Sequence, residues 1–522
     1  MGTNWAVTSG HPLASHAGAA ILEKGGNAVD AAIATNAVLG VVRPHMCGMG
    51  GDAFMLLYVA KEKRTRVLNG SGRSPYGASR DFFAKKGMKK VPDKGILTVT
   101  VPGAVDAWVM AHETYGTMPL KDLFFKSLEY AEKGFPVYKE LSGVIRDEAS
   151  LLKGCPDSAR IFFRNGKAPE PGELLVQQEL AQSLKKIAEE GRDAFYKGDI
   201  GHALVQCSQE DGGLMTYEDL EDHRSTWVEP LETMYRGYRV CVPPPNSQGV
   251  ALLMQLNVVE NFELCNLGHH SVDHVHLFVE AKKLAFADRD RYVCDPDFRS
   301  IPIGKMVSKE HAKKQASRID FKRAATTVHP ADLSSTGEDT VYLAVVDREG
   351  NVVSMIQSLY EPFGSGRMIR GTGIMLHNRG KDFSLDTDHP NCIEPHKRPY
   401  HTLSPCMIFK GDTPVMVLGT PGADGQTQTL LQVMANLIDF GADIQEAIES
   451  PRWRSLPGNV LRIESRFPPG VLEGLGARGH QVVPVPDWSS ICGGAQGIVI
   501  DPDQGVLMGG ADPRRQGYVI GC

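Results

Sequence analysis

Several common sequence signals are missing from this chain of 522 residues. It contains no run of 18 or more apolar residues, which a membrane-spanning helix would need. Its formal net charge of −6 gives no electrostatic reason to expect that it binds nucleic acid. The N-terminal residues lack a basic start followed by an apolar stretch, so we expect no secretory signal. These absences predict a cytoplasmic globular protein that binds neither membrane nor nucleic acid.

Motifs for metals, nucleotides and serine nucleophiles are also missing. The ten cysteines lie singly, without a CxxC pair, which predicts free thiols rather than disulfides or a metal site. No HExxH, GxGxxG or GxSxG pattern occurs. Four histidines cluster between Gly268 and His276, but we interpret them as helix caps and packing residues. The charged run Asp288–Arg291 is interpreted as a structural ion-pair network. We therefore predict no metal and no cofactor.

The pattern of apolar residues changes near position 340. Upstream of it, apolar periodicity predicts helices at Leu13–Lys24, Ala28–Val42 and His274–Asp290. Residues 317–339 are polar and rich in Ser and Thr, which is typical of a mobile surface segment. From residue 340 onward, β-hairpins predominate, with helices expected at Leu430–Phe440 and Ile444–Glu449. This organisation indicates a boundary between the two parts of the chain at 339/340.

The first hairpin after this boundary places two hydroxyl groups opposite each other. A three-residue loop, Arg348–Gly350, supplies glycine at the left-handed position that such a turn requires. Paired residues of this hairpin then have numbers that sum to 698, so Thr340 faces Ser358. Residues directly opposite on neighbouring strands lie within side-chain contact. We therefore expect the Thr340 and Ser358 hydroxyls to interact.

A threonine at the start of a strand can become a nucleophile if the peptide bond before it is cleaved. Cleavage between Asp339 and Thr340 would release an α-amino group, which titrates near pH 8 and can accept the hydroxyl proton. The glycine-rich turn Thr420–Gly425 follows an apolar strand, and its backbone N–H groups could stabilise an oxyanion. Each feature alone is also compatible with a purely structural role. Together they favour acyl-transfer chemistry.

At this point the chain resembles the γ-glutamyltransferase family over nearly its whole length. The resemblance rests on long ordered segments, namely HPLASHAGAAILEKGGNAVDAAIA, GMGGDAF, VPGAVDAW, PPPNSQGVALL, EAKKLAFADRDRYVCDP, GEDTVYLAVVDREGNVVS, FGSGRMIRGTGIMLHNRGKDF, KRPYHTLSP and LGTPGADGQ. It implies an α+β fold, the αββα sandwich of N-terminal-nucleophile hydrolases. It also implies self-cleavage into a large subunit, 1–339, and a small subunit, 340–522, with a possible homodimer of the processed pair.

The resemblance assigns roles to individual residues of this sequence. Thr340 matches the nucleophile, and Ser358 takes the place of a second threonine that contacts it. Gly422 and Ala423 match the two residues of the oxyanion hole. Arg73 resembles the arginine that binds the substrate carboxylate, and Asp382 matches the aspartate that receives the substrate α-amino group.

Four positions of the substrate site depart from the family pattern. Tyr360 replaces an asparagine, Arg379 replaces an acidic or amide residue, and His401-Thr402 replaces a pair of serines. These changes weaken recognition of an α-ammonium group and add positive charge. They favour a small amide that carries a carboxylate, as in the oxamate amidohydrolase and cephalosporin-acylase-like branch of the family. We therefore predict a cofactor-free amidohydrolase or acyltransferase.

Three alternatives remain open from the sequence. The first is a transpeptidase that acts on glutathione. The second is an unprocessed homologue that only binds its ligand, which the Val341-Tyr342 replacement beside the nucleophile would permit. The third is a serine amidase whose activity does not depend on Thr340.

Overall fold

The structure is a computed structural model that describes residues 1–326 and 339–522. Its strands are β1 Ala6–Ser9, β2 Asp52–Val59, β3 Arg64–Gly70, β4 Phe135–Pro136, β5 Leu174–Leu175, β6 Thr226–Val228, β7 Leu231–Tyr235, β8 Tyr238–Val242, β9 Asp339–Val346, β10 Val352–Tyr360, β11 Met368–Ile369, β12 Ile374–Met375, β13 Cys406–Lys410, β14 Thr413–Gly419, β15 Trp453–Ser455, β16 Val460–Glu464, β17 Gln481–Val485, β18 Gln496–Asp501, β19 Val506–Ala511 and β20 Tyr518–Gly521.

The α-helices lie mainly in the first two thirds of the chain. They are α1 Pro12–Glu23, α2 Ala28–Val42, α3 Arg80–Lys85, α4 Ala104–Tyr115, α5 Leu120–Leu123, α6 Phe125–Lys133, α7 Lys139–Asp147, α8 Ala149–Lys153, α9 Pro156–Phe162, α10 Gln178–Glu190, α11 Arg192–Tyr196, α12 Asp199–Glu210, α13 Tyr217–Asp222, α14 Gly249–Val259, α15 Leu264–Leu267, α16 Val272–Tyr292, α17 Ile303–Met306, α18 Lys309–Ala316, α19 Gln426–Ile438, α20 Ile444–Glu449 and α21 Val471–Ala477. The helices predicted from apolar periodicity are all present. Among the described residues, no helix combines the length and the apolar character that a membrane crossing requires.

Two large sheets form the centre of the molecule. One has the strand order β20-β1-β9-β10-β2-β3-β6, and the other has the order β19-β18-β14-β13-β8-β7. Side chains of both sheets share one apolar cluster, to which the first sheet contributes Phe54, Tyr342 and Ile356 and the second Met407 and Val417. The two sheets therefore pack face to face.

Helices cover the outer face of each sheet. Val341, Leu343 and Val345 of β9 point away from the second sheet and pack with residues of α1, α2 and α4. On the other side, α14, α16 and α19 pack against Val240 and Ile408 of the second sheet. The alternation of side chains along each strand thus produces layers in the order α, β, β, α. This confirms the fold class that the resemblance implies.

The hairpin at the centre of the first sheet has the predicted turn. The Asp347 N–H donates to the Asn351 carbonyl, and Gly350 adopts a φ of 79°. The predicted register holds from Val346–Val352 to Val341–Gln357, and a bulge then pairs Asp339 with Tyr360. β9 lies between β1 and β10, but β1 pairs only with residues 343–346, so the start of β9 borders β10 alone among the described strands.

The segment 317–339, predicted to be mobile, is described only in part, and residues 327–338 lie outside the described ranges. Its upstream end is attached to the body of the protein. Ala324 N–H donates to the Arg478 carbonyl, and Ala325 N–H donates to the Glu280 carboxylate at 3.1 Å. The ten cysteines are all free thiols, as the sequence predicts.

Candidate functional site

Two hydroxyl groups meet at the start of β9. Thr340 Oγ1 donates a hydrogen bond of 3.1 Å to Ser358 Oγ, and both side chains are buried. The bulge in β10 turns the Tyr360 N–H toward the same serine oxygen, at 2.7 Å. The contact predicted from the hairpin arithmetic is confirmed. Ser358 is therefore held by the backbone of its own strand while it contacts Thr340.

A buried carboxylate lies next to this pair of hydroxyls. Asp52 of β2 is directly opposite Ser358 of β10, so both side chains occupy the same face of the sheet. Asp52 Oδ1 accepts hydrogen bonds from the Gly72 and Gly103 N–H groups, at 3.1 and 3.3 Å. Thr340, Ser358 and Asp52 thus form a polar row at the end of the layer between the two sheets.

Two histidines contact this carboxylate. His401 Nε2 lies 3.1 Å from Asp52 Oδ2, and His377 Nδ1 lies 3.5 Å from the same oxygen. Burial lowers the pKa of His401 to about 3, so its ring is neutral; Nδ1 accepts the Leu403 N–H, and Nε2–H donates a hydrogen bond to Asp52. Burial opposes ionisation of Asp52, but His377, the His401 hydrogen bond and the Arg379 charge outweigh it and lower the pKa to about 2. His401, predicted to bind substrate, is thus engaged with Asp52.

The glycine-rich turn after β14 presents two backbone amides. Gly422 has a φ of 130°, and Ala423 has a φ of 45°, which is in the left-handed region. Among the described residues, no acceptor contacts the N–H of either residue. The turn is fixed by Gln248, whose Nε2 donates to the Ala423 carbonyl at 3.0 Å and to the Thr402 carbonyl at 2.7 Å.

A second set of buried polar residues supports the same turn. Arg289 Nη1 donates to Gln248 Oε1 at 3.0 Å and to Asp424 Oδ1 at 2.9 Å. The Tyr400 hydroxyl lies 3.1 Å from each of the same two acceptors and has one hydrogen to share between them. Arg289 also pairs with Asp290, as the structural interpretation of the charged run predicts. This ion-pair network extends to the turn that follows β14.

Three of the predicted substrate-binding residues lie against one another. The Tyr360 hydroxyl donates to Asp382 Oδ1 at 2.7 Å, and the Arg379 guanidinium stacks on the Tyr360 ring at 3.7 Å. Arg379 Nη1 donates to Thr402 Oγ1 at 3.1 Å and lies 3.7 Å from Asp382 Oδ2. Burial raises the pKa of Asp382 to about 6 despite the nearby guanidinium. Asp382, which is expected to receive the substrate α-ammonium group, therefore already lies beside the positively charged Arg379.

Arg73, predicted to bind the substrate carboxylate, is paired with carboxylates of the protein. Its Nη1 lies 3.1 Å from Asp295 Oδ2, and its Nη2 lies 2.8 Å from Asp297 Oδ2. Nη1 also donates to the His396 carbonyl at 3.1 Å. These contacts use both terminal nitrogens of the guanidinium, so a substrate would have to compete with them.

The four clustered histidines are used mainly in packing. His274 Nδ1 accepts a hydrogen bond from the His270 backbone N–H, and the His274 ring packs edge-on against Phe278. His276 forms a different group with Glu280 and His480, whose ligand atoms all lie within 4.8 Å of one another. In this group His276 Nδ1 and His480 Nε2 share a hydrogen bond of 2.8 Å. Lys283 Nζ donates a hydrogen bond of 2.7 Å to Glu280 Oε1. The lysine ammonium at this position disfavours a metal cation.

Sequence reasoning missed several residues of the site. Among them are Asp52, Gln248 and Arg289. The first lies in the GMGGDAF segment and the second in PPPNSQGVALL, both of which carried the family resemblance. The predicted register extends only over the β9–β10 hairpin, so it could not identify the neighbour of Ser358 in β2. Arg289 was assigned a structural role only.

The comparisons with known proteins find relatives over the whole length of the chain. The family model described as gamma-glutamyltranspeptidase matches residues 14–522. The chain is 44% identical to the glutathione hydrolase-like YwrD proenzyme of Bacillus subtilis (strain 168), over 100% of this chain and 99% of that protein. It is 34% identical to the oxamate amidohydrolase proenzyme of Klebsiella pneumoniae, again over 100% and 99%.

Among solved structures, the cephalosporin acylase from Bacillus halodurans superimposes with a TM-score of 0.93. The two chains are 39% identical, and the match covers 100% of this chain and 96% of the acylase. The agreement therefore extends over the whole molecule and is not limited to the β9–β10 hairpin. The chain belongs to the γ-glutamyltranspeptidase family of N-terminal-nucleophile hydrolases.

Proposed function

We propose that this protein is a self-processing amidohydrolase or acyltransferase with Thr340 as its nucleophile. The observation that carries the proposal is the hydrogen bond from Thr340 to Ser358, made by the residue that directly follows the Asp339–Thr340 peptide bond. Two backbone N–H groups without an acceptor among the described residues lie in the turn of Gly422 and Ala423. A nucleophile and an oxyanion site are the two elements that acyl transfer needs.

Cleavage before Thr340 supplies the base. The released α-amino group has a pKa near 8, so a useful fraction is unprotonated at neutral pH and accepts the Oγ1 proton. Oγ1 attacks the amide carbonyl, and the Gly422 and Ala423 N–H groups stabilise the tetrahedral oxyanion. The protonated amine then donates its proton to the leaving nitrogen. Water, or an amine acceptor, releases the acyl group from Thr340.

The fold is compatible with cleavage into chains 1–339 and 340–522. After cleavage, β9 would keep its pairing with β1 on one side and β10 on the other. The pairing of β1 with β9 would keep the two chains associated, and the contact with Ser358 would keep the new N-terminus beside β10. Two relatives, YwrD and the oxamate amidohydrolase, are named as proenzymes, which supports processing. Dimerisation of the processed protein and a cytoplasmic location stay predictions.

We propose a small amide with a carboxylate, such as oxamate, as the substrate. Support comes from the Arg379 guanidinium beside Asp382 and from the similarity to the oxamate amidohydrolase of Klebsiella pneumoniae. A γ-glutamyl amide is the second candidate, favoured by the similarity to YwrD, whose name describes it as glutathione hydrolase-like. It would have to place its α-ammonium group beside the Arg379 cation.

Processing is tested by a denaturing gel and intact-mass measurement of wild-type protein, Thr340→Ala and Thr340→Ser. We expect two chains divided at 339/340 for wild type and for the serine variant, which keeps both hydroxyl and amine. The alanine variant should remain one chain without activity. A single wild-type chain with full amidase activity, or an active alanine variant, would contradict the proposal. The first result would indicate a nucleophile elsewhere, as in a serine amidase.

The substrate is tested by comparing the hydrolysis of oxamate and of a γ-glutamyl anilide. We expect turnover of oxamate by the processed enzyme. Faster turnover of the anilide, stimulated by a dipeptide acceptor, would instead indicate a transpeptidase. An intact, inactive chain that still binds oxamate would indicate a binding homologue.

A further inference from the structure

Arg379 is a buried cation whose hydrogen-bonding capacity is mostly unused. Its side chain is 1% exposed, and Nη1 is its only nitrogen that donates a hydrogen bond within the described residues. Nε and Nη2 are both buried there without an acceptor. These two nitrogens lie on the same edge of the guanidinium. Their N–H groups point in parallel, in the geometry that binds both oxygens of a carboxylate.

The neighbouring carboxylate of the protein does not fill this edge. Asp382 Oδ1 accepts the Tyr360 hydroxyl, and Oδ2 approaches Nη1 rather than Nε or Nη2. Burial also raises the pKa of Asp382 to about 6, so part of its population is neutral near that pH. A buried guanidinium edge without an acceptor is energetically unfavourable unless a ligand satisfies it. The Nε and Nη2 edge of Arg379 therefore has two unused parallel donors of the kind that bind a small planar anion.

Two chains of contacts connect Arg379 with the proposed catalytic groups. On one side, its guanidinium stacks on Tyr360, whose N–H donates to Ser358 Oγ, the acceptor of the Thr340 hydroxyl. On the other side, Nη1 binds Thr402, whose carbonyl accepts the Gln248 amide that also holds Ala423. Arg379 is thus connected through one or two intervening residues both to the hydroxyl pair of Thr340 and Ser358 and to the turn of Gly422 and Ala423.

We infer that the Nε and Nη2 edge of Arg379 binds the substrate carboxylate, and that Arg73 does not. Arg73 already pairs with Asp295 and Asp297. In this chain the carboxylate would occupy the place where the family resemblance expects an α-ammonium group. The substrate class is then a short amide with a carboxylate close to the scissile carbonyl and no α-ammonium. This inference rests on the proposed function for the identity of the nucleophile.

The test compares oxamate with oxamide, its neutral diamide, on processed wild-type protein and on Arg379→Met, Arg379→Lys and Arg73→Gln. We expect Arg379→Met to raise the KM for oxamate about 100-fold, because a bidentate charge-assisted pair is lost. The KM for oxamide should change little. Arg379→Lys keeps the charge without the parallel N–H groups and should give an intermediate KM. Arg73→Gln should preserve the preference for oxamate over oxamide.

Calorimetric titration of oxamate into wild type and Arg379→Lys separates this inference from the proposed function. Binding to an inactive or unprocessed wild type, weakened by Arg379→Lys, would support the carboxylate site although the nucleophile had been misassigned. An unchanged oxamate KM in both folded Arg379 variants would overturn the inference. The inference would also be overturned if only Arg73→Gln lost the preference for oxamate over oxamide. It would likewise be overturned if wild-type protein did not bind oxamate. Circular dichroism of each variant establishes that it is folded.

Discussion

Replacement of Gln248 by methionine should lower turnover although this residue does not contact the nucleophile. Gln248 donates to the carbonyls of Ala423 and Thr402 and accepts from Arg289 and Tyr400. Methionine has a similar length and shape, but it can make none of these bonds. The change therefore removes the support of the turn that carries the proposed oxyanion donors.

The magnitude follows from the bonds lost and from the conformation of Ala423. Each of the four hydrogen bonds contributes about 1 kcal/mol net, so we expect a decrease of about 2–4 kcal/mol in the free energy of unfolding. A left-handed conformation costs a residue with a Cβ roughly 1–2 kcal/mol, and Ala423 adopts one at φ 45°. Without Gln248 the turn would relax away from this conformation. Displacement of an oxyanion donor typically lowers kcat about 100-fold or more.

The assay is steady-state hydrolysis of oxamate by processed protein, together with urea denaturation. Gln255→Met is the matched control, because Gln255 is buried in α14, the helix that directly follows Gln248, and its Nε2 donates to the Ala251 carbonyl of that helix. We expect kcat to fall in Gln248→Met and to stay unchanged in Gln255→Met. A folded Gln248→Met enzyme with wild-type kcat, or equal losses of kcat in both variants, would refute the reasoning.

Four further predictions concern the nucleophile, the turn, the substrate site and the hairpin. Ser358→Ala should lower kcat about tenfold, since one hydrogen bond to Thr340 is lost, and single-turnover kinetics would measure it. Ala423→Gly should raise the free energy of unfolding in urea by about 0.5 kcal/mol, because the relief of φ strain exceeds the entropy that glycine adds to the unfolded chain. The KM for oxamate should fall as the pH is lowered through about 6, where Asp382 becomes neutral and stops competing with an anion, and Asp382→Asn should remove this dependence. Asp347→Ala should lower the free energy of unfolding by about 2 kcal/mol, as measured by urea denaturation, because the carboxylate accepts the Ala28 and Asn351 N–H groups.

Local chemistry explains what could be predicted from the sequence. The turn at Gly350 depends on residues adjacent in the chain, and the register of β9 and β10 follows from its length. The Thr340–Ser358 contact was therefore predictable without knowledge of the rest of the fold. The bulge beyond Gln357 was not predicted, but it lies where the strand ends. It brings the Tyr360 N–H to Ser358 Oγ and leaves the contact between the hydroxyls intact.

Interactions between segments distant in the chain explain which features of the site could not be predicted from the sequence. Asp52 joins the site because β2 pairs with β10, and this pairing connects residues about 300 positions apart in the chain. The pairing of Arg73 with Asp295 and Asp297 depends on a similarly distant segment. Residue type and spacing predict the chemistry that a side chain can perform. They do not reveal whether another part of the protein already uses that side chain, as Asp295 and Asp297 use Arg73.

The difference between the pattern that determines the fold and the contacts of a single side chain also bears on substrate choice within the family. The αββα layers follow from alternating apolar residues, and a charge at Arg379 leaves that pattern unaffected. That one side chain does change the sign of the charge beside Asp382. An α-ammonium group bound to Asp382 would share this carboxylate with the guanidinium, which lies 3.7 Å from it. At a separation of about 4 Å two like charges repel by ~4 kcal/mol at an effective dielectric constant of 20. This repulsion corresponds to about a thousandfold loss of affinity for a γ-glutamyl substrate. Once Asp382 is neutral, a carboxylate at the same place should gain an attraction of similar size, so we expect this one buried charge to favour the carboxylate-bearing substrate class.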